Sequence, residues 1–352
     1  MNLELRHPPM APEWIDRPHQ SLALGDFPLE SGETIADFEL VYVTHGELDA
    51  SKRNAILVLP SIHGTHHRLD FLIGPGRALD PARWFVICVD AIGNGLTTSP
   101  STSRRQPLLE FPRFGMRDIV RAQHRLVSDC FGIERVAAVI GASMGGMQAL
   151  QWGVSFPHAM EAIIAMTPMA RTGAWSQAVN EAYRRALMPD ADWWRRDAAE
   201  TDWRAWVSVQ LLAGHTPESI AARFRSRIDL ERWIEERAKW QAQQRSHPVD
   251  RVYQTWAYDA HDVGGGDGFG GDTRAALASI RARTLVLAPP LDLYNPETQA
   301  REDAAAIPGA VFETVPSNAG HQCTTTSREA DVQFIDRRLK EFLALHCAKL
   351  ST

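Results

Sequence analysis

No stretch of this 352-residue chain approaches the run of about 18 apolar residues that a membrane-spanning helix requires. The opening segment, MNLELRHPPMAPEWIDRPHQ, lacks the apolar core and small-residue cleavage pattern of a secretory leader. Cysteine is scarce. Cys88, Cys130, Cys323 and Cys347 are widely spaced, with no CxxC pair and no metal-finger pattern. Cys88 and Cys130 fall in apolar stretches, where a cysteine usually serves as a small buried residue. A basic excess is lacking as well: 37 Lys and Arg face 43 Asp and Glu, a net charge of −6. Nucleic-acid binding usually leaves the opposite footprint. There is no internal repeat and no long low-complexity tract. The expectation is a cytoplasmic protein with neither a membrane nor a nucleic acid as partner.

What is present is the composition of a globular protein, 44% hydrophobic and 23% charged, long enough to build a core without disulfides. Short apolar runs recur: Ala55–Leu59, Trp84–Val89, Val136–Ile140, Ile163–Met166, Thr284–Ala288 and Val311–Val315. Most are continuously apolar, as strands buried on both faces of a parallel sheet must be. Between two of them, Met116–Phe131 places Ile119, Ala122, Leu126 and Cys130 at helical spacing, which makes a strand-helix-strand crossover. Asp37–Thr44 alternates and predicts an antiparallel hairpin at the sheet's edge.

From about residue 171 to 270 the strand rhythm stops and helical segments rich in Trp, Arg and Glu replace it. In Asp229–Gln241, Leu230, Trp233, Arg237 and Trp240 share one face, with Asp229 as the expected N-cap. Eight of the eleven tryptophans lie between Trp175 and Trp256. Aromatics concentrated on short helices suit a lid over a pocket, a partner-binding face, or the seam between lid and core. The expected organisation is an α/β core at 1–170 and 271–352, interrupted by a helical lid at 171–270. Gly266–Gly271 fits G-x-G-x-x-G literally, but no strand precedes it, so a glycine-rich hinge is the simpler account.

One motif carries chemistry. Gly141-Ala142-Ser143-Met144-Gly145 is G-x-S-x-G, with an apolar run ending at Ile140 and a helix-compatible run, Met147–Phe156, stopped by Pro157. Strand, sharp turn and helix form the context that presents a serine as a nucleophile, and its neighbours must be small to avoid the adjoining strand and helix. A serine hydroxyl needs a base, and the base an orienting carboxylate, in the chain order Ser, acid, His on this fold. Asp292 follows the run Thr284–Ala288, and His321 follows Val311–Val315. Past Asp292, the thirteen histidines of the chain leave only His321 and His346, the latter in the final helix. The tetrahedral intermediate needs two backbone N–H donors, expected from Met144 and from Ile62 in Pro60–Gly64. The cluster His63, His66, His67 (HGTHH) matches no helix-borne zinc motif, and a solvated or pocket-lining loop is the preferred account.

These residues resemble the homoserine O-acetyltransferase family of the α/β hydrolases. The likeness runs through NAILVLPSIHGTHH, LIGPGRALDPARWFVICVDAIGNGLTTSPS, FPRFGMRDIVRAQHRLV, GASMGGMQALQW, NEAYRRAL, LDLYNPE and AGHQC. The resemblance implies an α/β-hydrolase fold with a mostly parallel central sheet flanked by helices. It also implies an acetyl-Ser143 intermediate loaded from acetyl-CoA, and homodimers formed through the lid helices. It assigns Arg184 of NEAYRRAL to the acceptor's carboxylate, where a guanidinium fork would fit. Two positions depart from it. The family's aspartate after the catalytic histidine, which receives the acceptor's ammonium group, is Gln322 here, and its His-Ala-Leu-Thr-Gly loop is Pro60–Gly64. Relatives with such changes look like esterases that release short acyl groups to water, because loss of that ion pair costs several kcal/mol of acceptor binding.

Three functions are therefore set out. The first is hydrolysis of small acyl esters, acetates above all, without a cofactor or metal. The second is acetyl transfer to homoserine or a related hydroxyl, with acetyl-CoA as co-substrate. The third is a non-catalytic binding protein on a hydrolase scaffold. The partner is a small-molecule ester or acyl donor.

Overall fold

Strands buried on both faces must be covered by helices on both sides, and the chain solves this with a single eight-stranded sheet. The computed structural model describes residues 6–266 and 268–347. In chain order the strands are β1 (Gln20–Pro28), β2 (Thr34–His45), β3 (Ala55–Leu59), β4 (Phe85–Val89), β5 (Val136–Ala142), β6 (Met160–Met166), β7 (Arg283–Ala288) and β8 (Val311–Thr314). Their spatial order is β1-β2-β4-β3-β5-β6-β7-β8. β1 and β2 form the antiparallel edge hairpin, β2 runs antiparallel to β4, and all later pairs are parallel. This is the α/β-hydrolase fold with a mostly parallel central sheet. Alternate residues of β3 serve opposite layers: Leu57 and Leu59 join one core cluster, Ile56 and Val58 the other.

Helices α1 (Met116–Arg125) and α2 (Met144–Ser155) pack on the middle of the first face, and the closing helix α10 (Glu329–Cys347) covers the second. The chain leaves β3 towards β4, over the second face through His66–Leu72, whereas it leaves β5 towards β6 over the first face. The loops after β3 and β5 therefore diverge at adjacent strands, which opens the crevice where open α/β sheets bind ligands. One sequence expectation shifts here. Beyond Arg125 the helix widens through Leu126–Cys130, with the amide of Phe131 bonded to the carbonyl of Leu126. The added residue per turn rotates Cys130 out of the buried face that holds Ile119, Ala122 and Leu126, leaving it exposed.

Between β6 and β7 the chain makes a helical excursion: α3 (Ala174–Leu187), α4 (Arg204–Gly214), α5 (Pro217–Arg223), α6 (Arg227–Gln243) and α7 (Pro248–Asp259). A bridge between Arg171 and Asp262 closes its base. The glycine-rich stretch follows that closure as a turn, where Gly271 donates to Gly264 and Asp262 Oδ1 accepts from both Gly264 and Thr273. Asp267 within it lies outside the described residues. The N-cap of α6 is Ser226, not Asp229. Ser226 Oγ accepts from the Asp229 amide and donates to its carboxylate, which makes Asp229 the third helical residue. Trp193, Trp203 and Trp206 are buried in the seam, while Trp175 and Trp240 are exposed. Tyr183, Leu187, Trp206, Val252 and Tyr258 belong to the same apolar cluster as the first face of the sheet. Two short helices, α8 (Thr273–Ala278) and α9 (Glu297–Ala306), flank β7.

Candidate active site

The turn between β5 and α2 holds Ser143 at φ 58° and ψ −124°, a backbone geometry that L-residues seldom adopt. Glycine makes the turn feasible. A Cβ on Gly141 would sit 2.2 Å from the backbone of Gly145, and one on Gly145 would sit 2.6 Å from the carbonyl oxygen of Leu59. The Ser143 amide donates to the carbonyl of Met166 at 2.9 Å, pinning the turn to the end of β6. α2 begins at once with Met144, three residues before the expected start at Met147.

From β7 and β8 come two loops that meet this serine. His321 Nε2 lies 2.8 Å from Ser143 Oγ, and His321 Nδ1 lies 2.7 Å from Asp292 Oδ2. Residues 178 and 29 positions apart in sequence thus form one hydrogen-bonded line. Asp292 is buried, and its second oxygen accepts from the amides of Tyr294 and Asn295 at 2.8 and 2.9 Å. The carboxylate is therefore held in place by backbone donors, and the Nδ1–H tautomer of His321 follows from the acceptor it faces. A second ring of contacts surrounds the line. Tyr258 donates to Asn295 Oδ1 at 2.5 Å and its hydroxyl lies within reach of Ser143, while Asn295 donates to the carbonyl of Thr167. Burial raises Tyr258 above the ordinary phenol range, so it stays a neutral donor.

The loop after β3 supplies the facing wall. Among its amides, that of His63 is bonded to Gln254 Oε1 and that of Gly64 to the carbonyl of Ser61. Ile62 lines the cavity beside Ser143, and Met144 opens α2, where the first amides have no intrahelical acceptor. Arg68 braces this wall. Its Nε donates to Ser61 Oγ at 2.7 Å, and its Nη groups donate to the carbonyl and hydroxyl of Thr324, beside His321. Ser61 in turn donates to the carbonyl of Ala142. Burial lowers Arg68 to about 10, well above neutral pH, so it remains a cation.

Above these groups lies a cavity of about 710 Å³, lined by Ser143, His321, Ile62, Tyr183, Trp206 and Gln322 among others. Gln322 lies against Gly214 at the end of α4, with its amide nitrogen 2.8 Å from where a Cβ would stand. Arg184 does not meet the expectation placed on it. Its neighbour Tyr183 faces the cavity, but one residue along a helix turns by about 100°. Arg184 instead points to α7, with Nη1 2.6 Å from Asp259 Oδ2 and Nε 3.1 Å from Glu181 Oε2. The cavity's own arginines escape a reading of the sequence. Arg251 is buried 5.0 Å from the Trp203 ring and donates to Gln241, and Arg237 lies over Trp240 at 3.6 Å. Neither has an ion-pair partner among the described residues. Only the helical spacing of Trp233, Arg237 and Trp240 hints at them. A hollow of about 780 Å³ between α8 and α9 contains none of the residues that surround Ser143.

The alpha/beta hydrolase fold model matches residues 54–322. A homoserine O-acetyltransferase of Chlorobaculum parvum is 32% identical over 316 residues, spanning 84% of this chain and 87% of that protein. A probable esterase of Corynebacterium glutamicum is 28% identical over 93% of this chain and 96% of its own. The crystal structure of an acetylester hydrolase from Corynebacterium glutamicum superposes with a TM-score of 0.86 at 28% identity, covering 93% of this chain and 96% of that one. Among the described residues no helix is long and apolar enough to cross a membrane. With the fold model spanning most of its length and a homoserine O-acetyltransferase related to it nearly end to end, the chain belongs to the homoserine O-acetyltransferase family of the α/β hydrolases.

Proposed function

We propose that the protein is a carboxylic-ester hydrolase that releases small acyl groups, acetyl above all, through an acyl-Ser143 intermediate. The observation that carries this reading is the line Ser143–His321–Asp292, at 2.8 and 2.7 Å, opening into the cavity. As Ser143 Oγ attacks the ester carbonyl, its proton passes to His321 Nε2, and Asp292 stabilises the imidazolium through Nδ1–H. The amides of Ile62 and Met144 receive the oxyanion. Collapse expels the alcohol, which takes the proton from His321. Water then repeats the sequence on the acyl-serine and frees the carboxylic acid. This chemistry calls for no cofactor.

Gln322 supports hydrolysis over transfer. It offers an acceptor's ammonium group no charge at the position next to His321; of the carboxylates on the cavity wall, Asp70 is bonded through Oδ2 to His67 and the Ile15 amide, and Glu13 is exposed. Arg184 is likewise engaged by Asp259. Acetyl transfer from acetyl-CoA to homoserine is the second reading, favoured by the 32% identity to the Chlorobaculum parvum enzyme. The deciding assay pairs p-nitrophenyl acetate hydrolysis with acetyl-CoA turnover, with and without homoserine. Rapid ester hydrolysis with CoA release indifferent to homoserine is expected. Formation of O-acetylhomoserine at a rate that rises with homoserine overturns the hydrolase. In the same assay Gln322→Asp is expected to raise the transfer-to-hydrolysis ratio.

The lid also supports a homodimer. Leu212 and Ile228 are 66% and 65% exposed there, and Trp175 is 59% exposed. Large apolar side chains so placed fit a second copy of the chain. Light scattering that gives one chain mass at micromolar concentration would refute this.

A further inference from the structure

Behind the loop that carries Ile62, a group of imidazoles converges that the proposed hydrolysis does not use. His66 and His67 come from the turn after β3, and His7 and His19 come from the N-terminal segment. The rings of His7, His19 and His66 lie 4.9 to 5.5 Å apart, and one ring nitrogen of each falls within 4.8 Å of the other two.

The hydrogen bonds around them fix which nitrogen carries a proton. His66 Nδ1 faces Asp90 Oδ2 at 2.8 Å, and His67 Nδ1 faces Asp70 Oδ2 at 2.6 Å. His7 Nδ1 faces the carbonyl of Pro8 at 2.7 Å. Carboxylates and carbonyls only accept, so each Nδ1 bears the hydrogen, and in the neutral ring each Nε2 presents a lone pair. His66 Nε2 is buried with no hydrogen-bond partner, on a side chain only 1% exposed. His7 Nε2 and His67 Nε2 stand 3.0 Å apart, so two lone pairs face one another. A buried acceptor without a donor has lost its hydration without compensation, and opposed lone pairs add repulsion. A cation held by His66 and His7 takes up the unpartnered lone pair of His66 and one of the two opposed lone pairs.

We propose that His7, His19 and His66 bind a zinc-class divalent cation, with the fourth position open to water or an anion. The donor set is right for such an ion, since imidazole suits zinc, copper and nickel and three histidines with an open position form a known zinc arrangement. The surroundings are right as well. A carboxylate on the far nitrogen orients a metal-binding imidazole and raises its basicity, and Asp90 does this for His66. Asp90 is itself held, accepting from the His66 amide and from Asn94. Tetrahedral zinc spaces its nitrogens about 3.4 Å apart, so the rings close by up to about 1.5 Å on binding. His19 is only half-buried and offers the path of entry.

The consequence lies at the cavity mouth. Pro8, Ala11, Pro12, Glu13 and Trp14 form one wall of the cavity above Ser143, and Trp14 stacks on His67 at 4.4 Å. A metal joining His7 and His19 to His66 clasps that wall to the turn behind the Ile62 loop. The histidine spacing along the chain conceals this, because His7 and His19 are 12 positions apart and His19 and His66 are 47 positions apart.

The test uses the full chain without a histidine tag, stripped by a chelator and titrated with zinc chloride by calorimetry. One zinc per chain is expected, together with a rise in melting temperature. His19→Ala loses no hydrogen bond within the site, so it is the informative variant. It should weaken zinc binding about 100-fold or more, beyond the 10- to 100-fold typical of an outer partner, and abolish the thermal shift. Cobalt loaded in place of zinc should show the d–d bands of a low-coordinate site in wild type, and His19→Ala should lose them. The exposed His158→Ala should bind as wild type does. Absence of saturable uptake near one equivalent, or equal uptake by wild type and His19→Ala, overturns the proposal and leaves a shared proton as the cation among these rings.

Discussion

The floor and the roof of the cavity are built by different means. The floor consists of Ser143, Asp292 and His321, each in the loop or turn that follows the carboxyl end of one of the parallel strands β5, β7 and β8. Strands hydrogen-bonded to one another bring their following loops together, so the register of β5, β6, β7 and β8 nearly sets the distances between these groups. The roof consists of α3, α4, α6 and α7, whose inward residues depend on helix packing. Tyr183 and Arg184 are adjacent in sequence, yet one faces the cavity and the other an ion pair with Asp259. Groups on the floor are thus placed by strand register, and groups on the roof by the rotation of each helix.

The largest expected effect lies on the floor. Ser143→Ala should reduce ester turnover by about 10⁴-fold or more with no change in melting temperature, measured by steady-state hydrolysis and calorimetry. Turnover near wild type would break the assignment of the nucleophile. Next is Arg68, which binds the Ile62 loop to the His321 turn without touching the reacting atoms. Arg68→Ala should lower kcat by about 10- to 100-fold, short of the loss of an oxyanion donor, and leave KM little changed. A change confined to KM would place Arg68 in substrate binding instead.

A roof residue should behave in the opposite way. Trp240 is 37% exposed and lines the cavity. Trp240→Ala should raise KM by about fivefold with kcat unaltered, the pattern of lost uniform binding. If kcat falls equally, floor and roof are not separable in function.

The smallest effect concerns the joint between the two regions. Asp250 of α7 accepts from the amide and hydroxyl of Ser101 on the core, at 2.9 and 2.5 Å. Burial pushes its carboxyl up to about 7, outweighing the Ser101 hydrogen bonds and the nearby Arg251 and Arg6. The folded chain therefore keeps a proton that the unfolded chain releases near 3.8. Stability from this group is full below about pH 4 and falls as pH rises towards 7, by up to about 1.4 kcal/mol per unit. Asp250→Asn should remove that slope, seen as about 2 °C less decline in melting temperature per pH unit across this window. An identical decline in the variant would exclude Asp250 as the titrating joint.

Much of the floor, and little of the roof, is legible in the amino-acid sequence. Six of the eight strands stand out as apolar runs; for β3 to β7 this is because a strand buried on both faces has no polar side to show, whereas β8 lies at the edge with Val311 exposed. The elbow around Ser143 is legible because its constraint is local: of three glycines within six residues, Gly141 is dictated by the backbone of Gly145, and Gly145 and Gly146 by β3 and β6. Asp292 and His321 can be placed because chain order and strand ends narrow the choice. Helical spacing misplaces Cys130, because a widened turn changes the helical phase without leaving a mark in the apolar pattern.

By itself, then, the sequence determined the sheet, the elbow and the order of the residues that meet there, since these follow from burial periodicity and short-range sterics. Only the tertiary structure decided that Arg184 turns to Asp259, that Arg251 and Arg237 line the cavity, that Tyr258 and Asn295 support the serine, and that His7 and His19 reach His66. Each of these rests on contacts between distant segments whose relative rotation is set by packing, and packing has no signature in the spacing of residues along the chain.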